Sequence, residues 1–339
     1  MVAVQKKEFI TQKSERLDKF LTQQMQESRN QIERLIKKGY VQIDQKKVTK
    51  PGYKLKPKQN VILYLPKTPK STRVVVDFDV RSVYEDEDIL VLDKPPGVVV
   101  HPAPSVKDAT LVDWLKQKGV SLSTISGEER HGIVHRIDKE TSGLLVVAKN
   151  NEAHRKLSEQ LQDKSMGRYY LAFIEPPLKE SVIVDKPIGR NPKNRLKMAI
   201  VEDGRASKSA FAKLVLSKNG QYELIGAKLF SGRTHQIRVH LHSLHRHILG
   251  DSLYGFKSKG VTIPRVFLHA YILYLFHPRS GKRMEFRASL PQDMKDFASR
   301  YFDMEILHET IDPRSFTSHF DDAERLWSTA TAFQTKSRS

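Results

Sequence analysis

The densest group of side chains able to do chemistry lies at residues 131–143. There His131, His135, Arg136, Asp138, Lys139 and Glu140 are followed by Thr141, Ser142 and Gly143, and then by the apolar run 144–148. Asp138 stands near Arg136 and Lys139, and positive neighbours favour the ionised carboxylate that a nucleophile or base requires. Thr141, Ser142 and Gly143 are small enough for a tight turn that lets a ligand approach closely. A buried strand directly behind such a loop would fix its geometry, and loops held by rigid scaffolds are common seats of catalytic groups. The same residues suit a surface turn closed by ion pairs, and this run alone does not separate the two readings.

Other potential ligands carry less. His235, His240, His242, His245 and His247 cluster in the sequence, but zinc needs its ligands on one face and the basic surroundings repel a cation. No metal site is expected. The absence of cysteine removes thiolate nucleophiles, disulfides and Cys-based zinc sites. The glycines form neither a phosphate loop nor a dinucleotide fingerprint after a strand, so no cofactor is expected.

The elements that must position these residues fall into two regions. The chain has 339 residues, 39% of them hydrophobic, which fits two or three domains with a sizeable core. Its 58 Lys+Arg against 39 Asp+Glu give a formal net charge of +19. Such an excess favours a polyanionic partner, because neutralised phosphates release condensed counterions. It is unevenly spread: residues 1–70 hold 17 Lys+Arg and 6 Asp+Glu, a net of +11. Within this stretch Ser14 reads as an N-cap ahead of Leu17, Phe20 and Leu21, and a second helix runs from Ser28 through Ile32, Leu35 and Ile36 to a stop at Gly39. Alternating residues at 40–44 and an apolar run at 61–65 read as strands. Residues 14–65 thus form a small basic domain.

Residues 66–73, polar and carrying Pro66 and Pro69, read as a linker. The main domain spans 74–306, with strands expected at 74–76, 89–92, 144–148 and 169–173 and helices at 151–161 and 235–244. Strands outnumber helices without regular alternation, which indicates an α+β architecture rather than a doubly wound sheet. Residues 307–339, rich in Ser and Thr toward the end, are expected to be a mobile tail or one packed only on a partner. No apolar run approaches the ~18 residues of a membrane span. Residues 1–19 lack the apolar stretch of a secretory signal, and Glu8, Glu15 and Asp18 argue against a transit peptide; a cytoplasmic location is expected.

Two resemblances sharpen this reading. Residues 16–21 (Arg-Leu-Asp-Lys-Phe-Leu), Ser28-Arg29 and 35–41 resemble the ribosomal-protein S-four-type RNA-binding module, a small αL-type domain. The resemblance makes Arg16, Ser28, Arg29, Lys37 and Lys38 candidate phosphate contacts, against the alternative that the lysines merely solvate an exposed helix face. Residues 135–143, His-Arg-Ile-Asp-Lys-Glu-Thr-Ser-Gly, resemble the motif of the RluA/RluD-type pseudouridine synthases, with Ile137 replacing a leucine of similar volume. Residues 89–102, 168–170, 230–240, 248–255 and 268–270 resemble further blocks of that family in the same order.

What the second resemblance implies is specific. The catalytic domain would have a mixed, mainly antiparallel sheet. Asp138 would be the catalytic aspartate, and Arg136 the residue that enters the RNA stack as the target uridine leaves it. Tyr170 would stack on the uracil and be the candidate base at the last step, although an ordinary half-buried strand tyrosine explains it equally well. Gly232 would bend the chain, Thr234 cap the helix after it, and Arg233 pair with Asp138. The implied activity is cofactor-free isomerisation of uridines in structured RNA, with large-subunit ribosomal RNA as substrate and a monomeric enzyme. Two rivals stand beside it. A nucleoside or glycoside hydrolase using the same aspartate would want a second carboxylate. A catalytically silent RNA-binding ribosome-assembly factor would have no need of Arg136, Asp138, Tyr170 and Arg233 together.

Overall fold

A computed structural model describes residues 4–25, 29–66, 75–102, 106–125, 130–258 and 260–321. In the small N-terminal module, β1 (Val4–Ile10), α1 (Leu17–Met25), α2 (Arg29–Lys37), β2 (Val41–Ile43), β3 (Lys46–Lys47) and β4 (Asn60–Pro66) make a four-stranded sheet in the order β1-β4-β2-β3. Its core is Leu17, Leu21, Ile32, Ile36, Val41, Val61 and Leu63, all fully buried. Gly39 ends α2 at a positive φ of 77°, the conformation expected of a helix stop. The Ser14 hydroxyl donates to the Leu55 carbonyl at 2.8 Å and so ties the chain entering α1 to the loop before β4. Strand β1 is not expected from the sequence: its Gln, Lys and Glu residues hide the pattern, and the partner β4 lies some fifty residues further along. Ser28, most of the 66–73 linker and residues 322–339 lie outside the described residues.

The larger region is α+β, as expected. Its elements are β5 (Arg81–Glu85), β6 (Ile89–Lys94), α3 (Leu111–Gln117), β7 (Ser142–Ala148), α4 (Asn151–Asp163), β8 (Gly167–Glu175), β9 (Val182–Asp185), β10 (Ile188–Arg190), β11 (Met198–Ile200), β12 (Lys208–Leu216), β13 (Glu223–Leu229), α5 (Gln236–Ser243), β14 (His247–Ile248), β15 (Leu268–Phe276), β16 (Arg283–Arg287), α6 (Gln292–Tyr301), α7 (Met304–Thr310) and α8 (Pro313–Phe316). The main sheet runs β5-β6-β7-β15-β8-β13-β12-β9, with β14 beside β8 and β16 beside β15. Among the described residues its pairings are antiparallel except β7 with β15. Strands β10 and β11 form a separate hairpin. Residues 75–76, expected as a strand, are not one.

Strand β8 shows why the sheet is covered on both faces. Successive strand residues point to opposite sides: Tyr170, Ala172 and Ile174 join a core with α3 and α5, whereas Tyr169, Leu171 and Phe173 join one with α6, α7 and α8. The chain beyond 306, expected to be mobile or packed only on a partner, is instead packed on the sheet as far as Phe320. Leu307, Phe316 and Phe320 are buried, and Gly226 in β13 makes the room, since a Cβ there would come 2.9 Å from the Phe320 ring. Burying one such side chain contributes about 1.5–3 kcal/mol, enough to hold short helices that their own sequence would not sustain.

Candidate active site

The loop bearing Asp138 is fixed from below. The buried β7 follows it, and Gly143 within that strand has a φ of 105°. A Cβ at Gly143 would lie 2.2 Å from the Ala270 carbonyl oxygen, so only glycine permits the close parallel approach of β7 and β15 at this point. On the other side, β6 ends in a fully buried lysine. Lys94 Nζ donates to the carbonyls of Pro95 (2.7 Å), Val98 (2.9 Å) and Lys139 (3.1 Å), the last only one residue beyond Asp138. Burial pulls this amine down to about 7, against the pull of the Asp138 and Glu140 charges. The three carbonyl acceptors match the three donors of an ammonium.

Asp138 itself keeps 18% of its side chain exposed. It lies at the floor of a small chamber, about 70 Å³, lined also by Tyr170, Arg233, His235 and Arg238. Tyr170 is almost fully buried on β8. That burial pushes its phenol up despite nearby Arg168, with the Asp138 charge adding to the rise. Arg136 stands at the rim, its Nη1 3.2 Å from His101 Nε2. Burial, together with Arg136 and Arg130, brings His101 down to about 4, so at neutral pH its ring accepts the arginine's N–H. Beyond Arg136 the chamber joins a cleft of about 720 Å³, lined by Arg130, Lys164, Arg168, Arg205, Lys208 and Arg233 among others. Arg168 is 8% exposed, and its buried Nε meets no hydrogen-bond partner within the protein. Buried donors are rarely left so.

The expected pairing of Arg233 with Asp138 is corrected: the contact is made by Arg238, Nη1 to Oδ2 at 3.3 Å. Arg233 lines the same chamber, but its Nε donates to the Ala206 carbonyl at 3.1 Å. The cause is the turn into α5. Gln236, 2% exposed, accepts from Ser231 Oγ and the Arg233 amide and donates to the Lys208 carbonyl and Ser209. The helix then starts at Gln236 with His235 as N-cap in a left-handed conformation, φ 57°. Thr234 therefore does not cap it, and the inward face of its first turn carries Arg238. Arg238 also grips Asp251 through two hydrogen bonds, 2.7 and 2.8 Å. Burial alone would lower this guanidinium, but the Asp251 and Asp138 carboxylates outweigh it and hold its pKa above the usual value. Asp251 is thereby fully engaged, and among the described residues no second free carboxylate lines the chamber.

Arg238, Asp251, His235 and Tyr254 are the residues sequence reasoning missed. A pointer existed: two arginines five positions apart flank a helix start, and only one can face the fold. The histidines each hydrogen-bond within the fold, His235 to the Tyr254 hydroxyl, His240 to Ser209 and His247 to the Tyr254 carbonyl. One cluster among the described residues has metal-ligand spacing, Asp86, Asp88 and His277. There the Arg279 guanidinium, 2.7 Å from Asp88, already supplies the positive charge.

In the small module Arg16 and Arg29 both clamp buried Asp18, with shortest contacts of 2.9 and 2.6 Å. Lys37 lies 3.6 Å from Glu33, and Lys38 is exposed.

Comparison with known proteins gives the family. Residues 88–243 match the model of the RNA pseudouridylate synthase family, and residues 15–61 that of the S4 domain. An uncharacterised RNA pseudouridine synthase of Helicobacter pylori is 48% identical over 315 residues, covering 90% of this chain and 95% of that one. The ribosomal large subunit pseudouridine synthase D of Zymomonas mobilis is 40% identical over 277 residues, 79% of this chain and 87% of that one. The human RNA pseudouridylate synthase domain containing 1 structure shares the fold, at a TM-score of 0.50 and 24% identity, covering 66% of this chain and 94% of that one. The chain belongs to the RNA pseudouridine synthase family. It is an RNA-modifying isomerase with an S4 RNA-binding domain. Among the described residues, no helix is long and apolar enough to cross a membrane.

Proposed function

We propose that this enzyme converts uridine to pseudouridine in large-subunit ribosomal RNA, with Asp138 as its catalytic carboxylate. The observation that carries the reading is the placement of Asp138. It is a partly exposed carboxylate on a pinned loop, at the end of a chamber that opens into an arginine-lined cleft. The ribosomal assignment is supported by the names of relatives such as the Zymomonas mobilis protein and by the charge of the S4 module.

The target base must leave the stack, at a cost of a few kcal/mol. Arg136, held at the chamber rim by His101, fills the vacated space. Arg205 and Arg233 take the phosphates, with the largely buried Arg168 adding its charge beneath them. In the S4 module Arg16, Arg29, Lys37 and Lys38, with Ser28, contact the RNA backbone. Asp138 opens the reaction at the ribose, by attack on C1′ or by taking the C2′ proton. The C1′–N1 bond breaks, the uracil turns against Tyr170, and a C1′–C5 bond forms as Asp138 is displaced from C1′ or the proton it took is returned to C2′. N1 gains a proton and C5 loses one, so the net change is an isomerisation. Because burial raises Tyr170, the phenol is protonated at neutral pH and serves as the stacking surface. The proton from C5 then passes to the Asp138 carboxylate or to solvent.

The test is tritium release from ribosomal RNA labelled at uridine C5, comparing the wild type with Asp138→Ala. Release by the wild type alone, with no free uracil, supports the reading. Release by the variant removes Asp138 from the chemistry, and failure of the wild type on this RNA removes the assigned substrate.

A further inference from the structure

The reaction steps give no role to His235, the residue that precedes α5. His235 adopts a φ of 57° without making a side-chain cap, a conformation uncommon outside glycine and asparagine. Its ring faces two ways. Nδ1 is 2.9 Å from the Tyr254 hydroxyl, and Nε2 is 3.9 Å from Asp138 Oδ2. Burial lowers its pKa, and of the charges facing it Asp138 and Asp251 oppose this while Arg238 and Arg136 add to it. The ring is therefore neutral near pH 7.

Proton bookkeeping selects one tautomer. The Tyr254 hydroxyl already accepts the Met198 amide N–H at 2.8 Å. Its own proton has two acceptors in range, the Met198 carbonyl at 3.4 Å and His235 Nδ1 at 2.9 Å. The shorter contact makes Nδ1 the acceptor, which leaves the imidazole proton on Nε2, directed at Asp138. Tyr254 is 3% exposed, and its ring also packs under the Arg238 guanidinium, 4.9 Å from its centroid. One tyrosine thus underlies both groups that face the catalytic carboxylate.

Met198 opens β11, so this chain of contacts leads out to the β10–β11 hairpin. The hairpin rests on α5 and the Ser252–Tyr254 turn through Ile188, Val239 and Tyr254. From 188 to 200 it carries Arg190, Lys193, Arg195 and Lys197 and no acidic residue. Leu196 near its tip is 75% exposed. Cations around a projecting apolar side chain suit a nucleic-acid backbone and an adjacent base.

We propose that His235 and Tyr254 are a positioning pair for Asp138, and that they couple its alignment to the seating of the β10–β11 hairpin on RNA. The pair rests on the reading of Asp138 as the catalytic carboxylate. Docking that shifts the hairpin backbone moves the Tyr254 hydroxyl, and with it the Nε2–H that must approach Asp138 to within hydrogen-bond range.

The experiment uses the full chain in excess over C5-tritiated ribosomal RNA, with binding measured separately. Tyr254→Phe keeps the ring under Arg238 but breaks both hydroxyl contacts. His235→Asn tolerates the positive φ and presents nothing to Asp138. Each is expected to slow single-turnover release about tenfold or more, with RNA affinity within about threefold of wild type, the pattern of a lost reaction-step interaction. Together they should slow it no more than the worse single variant. Arg195→Ala with Leu196→Ser should lower affinity in either background, but slow the saturated step only when Tyr254 is intact. Nitrogen-15 histidine spectra, assigned with His235→Asn, should show Nε2–H in the wild type and loss of that fixed tautomer in Tyr254→Phe. A Tyr254→Phe enzyme that reacts at the wild-type rate, additive effects, or an Nδ1–H tautomer overturns the proposal. A wild type that releases nothing counts against the substrate or Asp138 reading instead, and the spectra still decide whether the pair exists.

Discussion

Two aspartates of this molecule are held by arginine in opposite ways. Asp18 in the S4 domain is fully buried, and Arg16 and Arg29 each place two donors on it at 2.6–3.1 Å. Asp138 keeps part of its carboxylate exposed and receives one long contact, 3.3 Å, from an arginine whose other donors go to Asp251. The first arrangement saturates the carboxylate and makes it a strut. The second leaves oxygen lone pairs free and fixes the cation rather than the anion, which is what a group that must form and break bonds requires. Counting ion pairs would not tell them apart; the satisfaction of the carboxylate does.

The sharpest way to break this contrast is to neutralise each aspartate. Asp138→Asn is expected to reduce turnover about a thousandfold or more while leaving the melting temperature near that of wild type, checked by tritium release and calorimetry. Arg238→Ala leaves Asp251 buried without its partner and should cost about 3–5 kcal/mol of stability, read from denaturant unfolding, along with most activity. Asp18→Asn should destabilise only the S4 domain, by about 1.5–3 kcal/mol for charged hydrogen bonds, with the reaction step at saturating enzyme unchanged. The same aspartate sets a pH dependence. Arg16, opposed by burial and aided by Arg29, holds its carboxyl below the usual range. Its contribution is thus complete above the unfolded value and lost as pH falls toward the folded one, so acid melting of the S4 domain should move to higher pH in Asp18→Asn. The smallest effect is expected from Lys38→Ala, a modest affinity loss with a salt slope shallower by about one, measured by binding across salt concentrations.

How much was legible in the sequence follows from how local each cause is. Asp138, Arg136 and Tyr170 belong to contiguous motifs, and the structure brings all three to one chamber. The arginine beside Asp138 was not legible, because Arg233 and Arg238 share one motif. Their division depends on where Gln236 closes the turn, a contact made with Lys208 and Ser209 of another strand. Strand β1 and the helices after residue 303 escaped for a related reason. Their residues carry weak local patterns, and their stability comes from partners distant in the chain, β4 in one case and β8, β12 and β13 in the other. That Arg16 and Arg29 also clamp Asp18 was not legible, because nothing in the sequence shows that Asp18 lies between them.

The strand order has a consequence for synthesis. Strand β7, which follows the Asp138 loop, and β8, which carries Tyr170, are not neighbours; β15 lies between them. A nascent chain can pair β5, β6 and β7 as they emerge, and β8 with β12 and β13, but the two halves have no seam until residues 268–276 arrive. The chamber therefore closes only when about four-fifths of these 339 residues have been made, since contacts this far apart in sequence form late. A ribosome-bound fragment ending before β15 would carry the S4 domain and every side chain of the chamber except Leu268, and so engage RNA without being able to modify it.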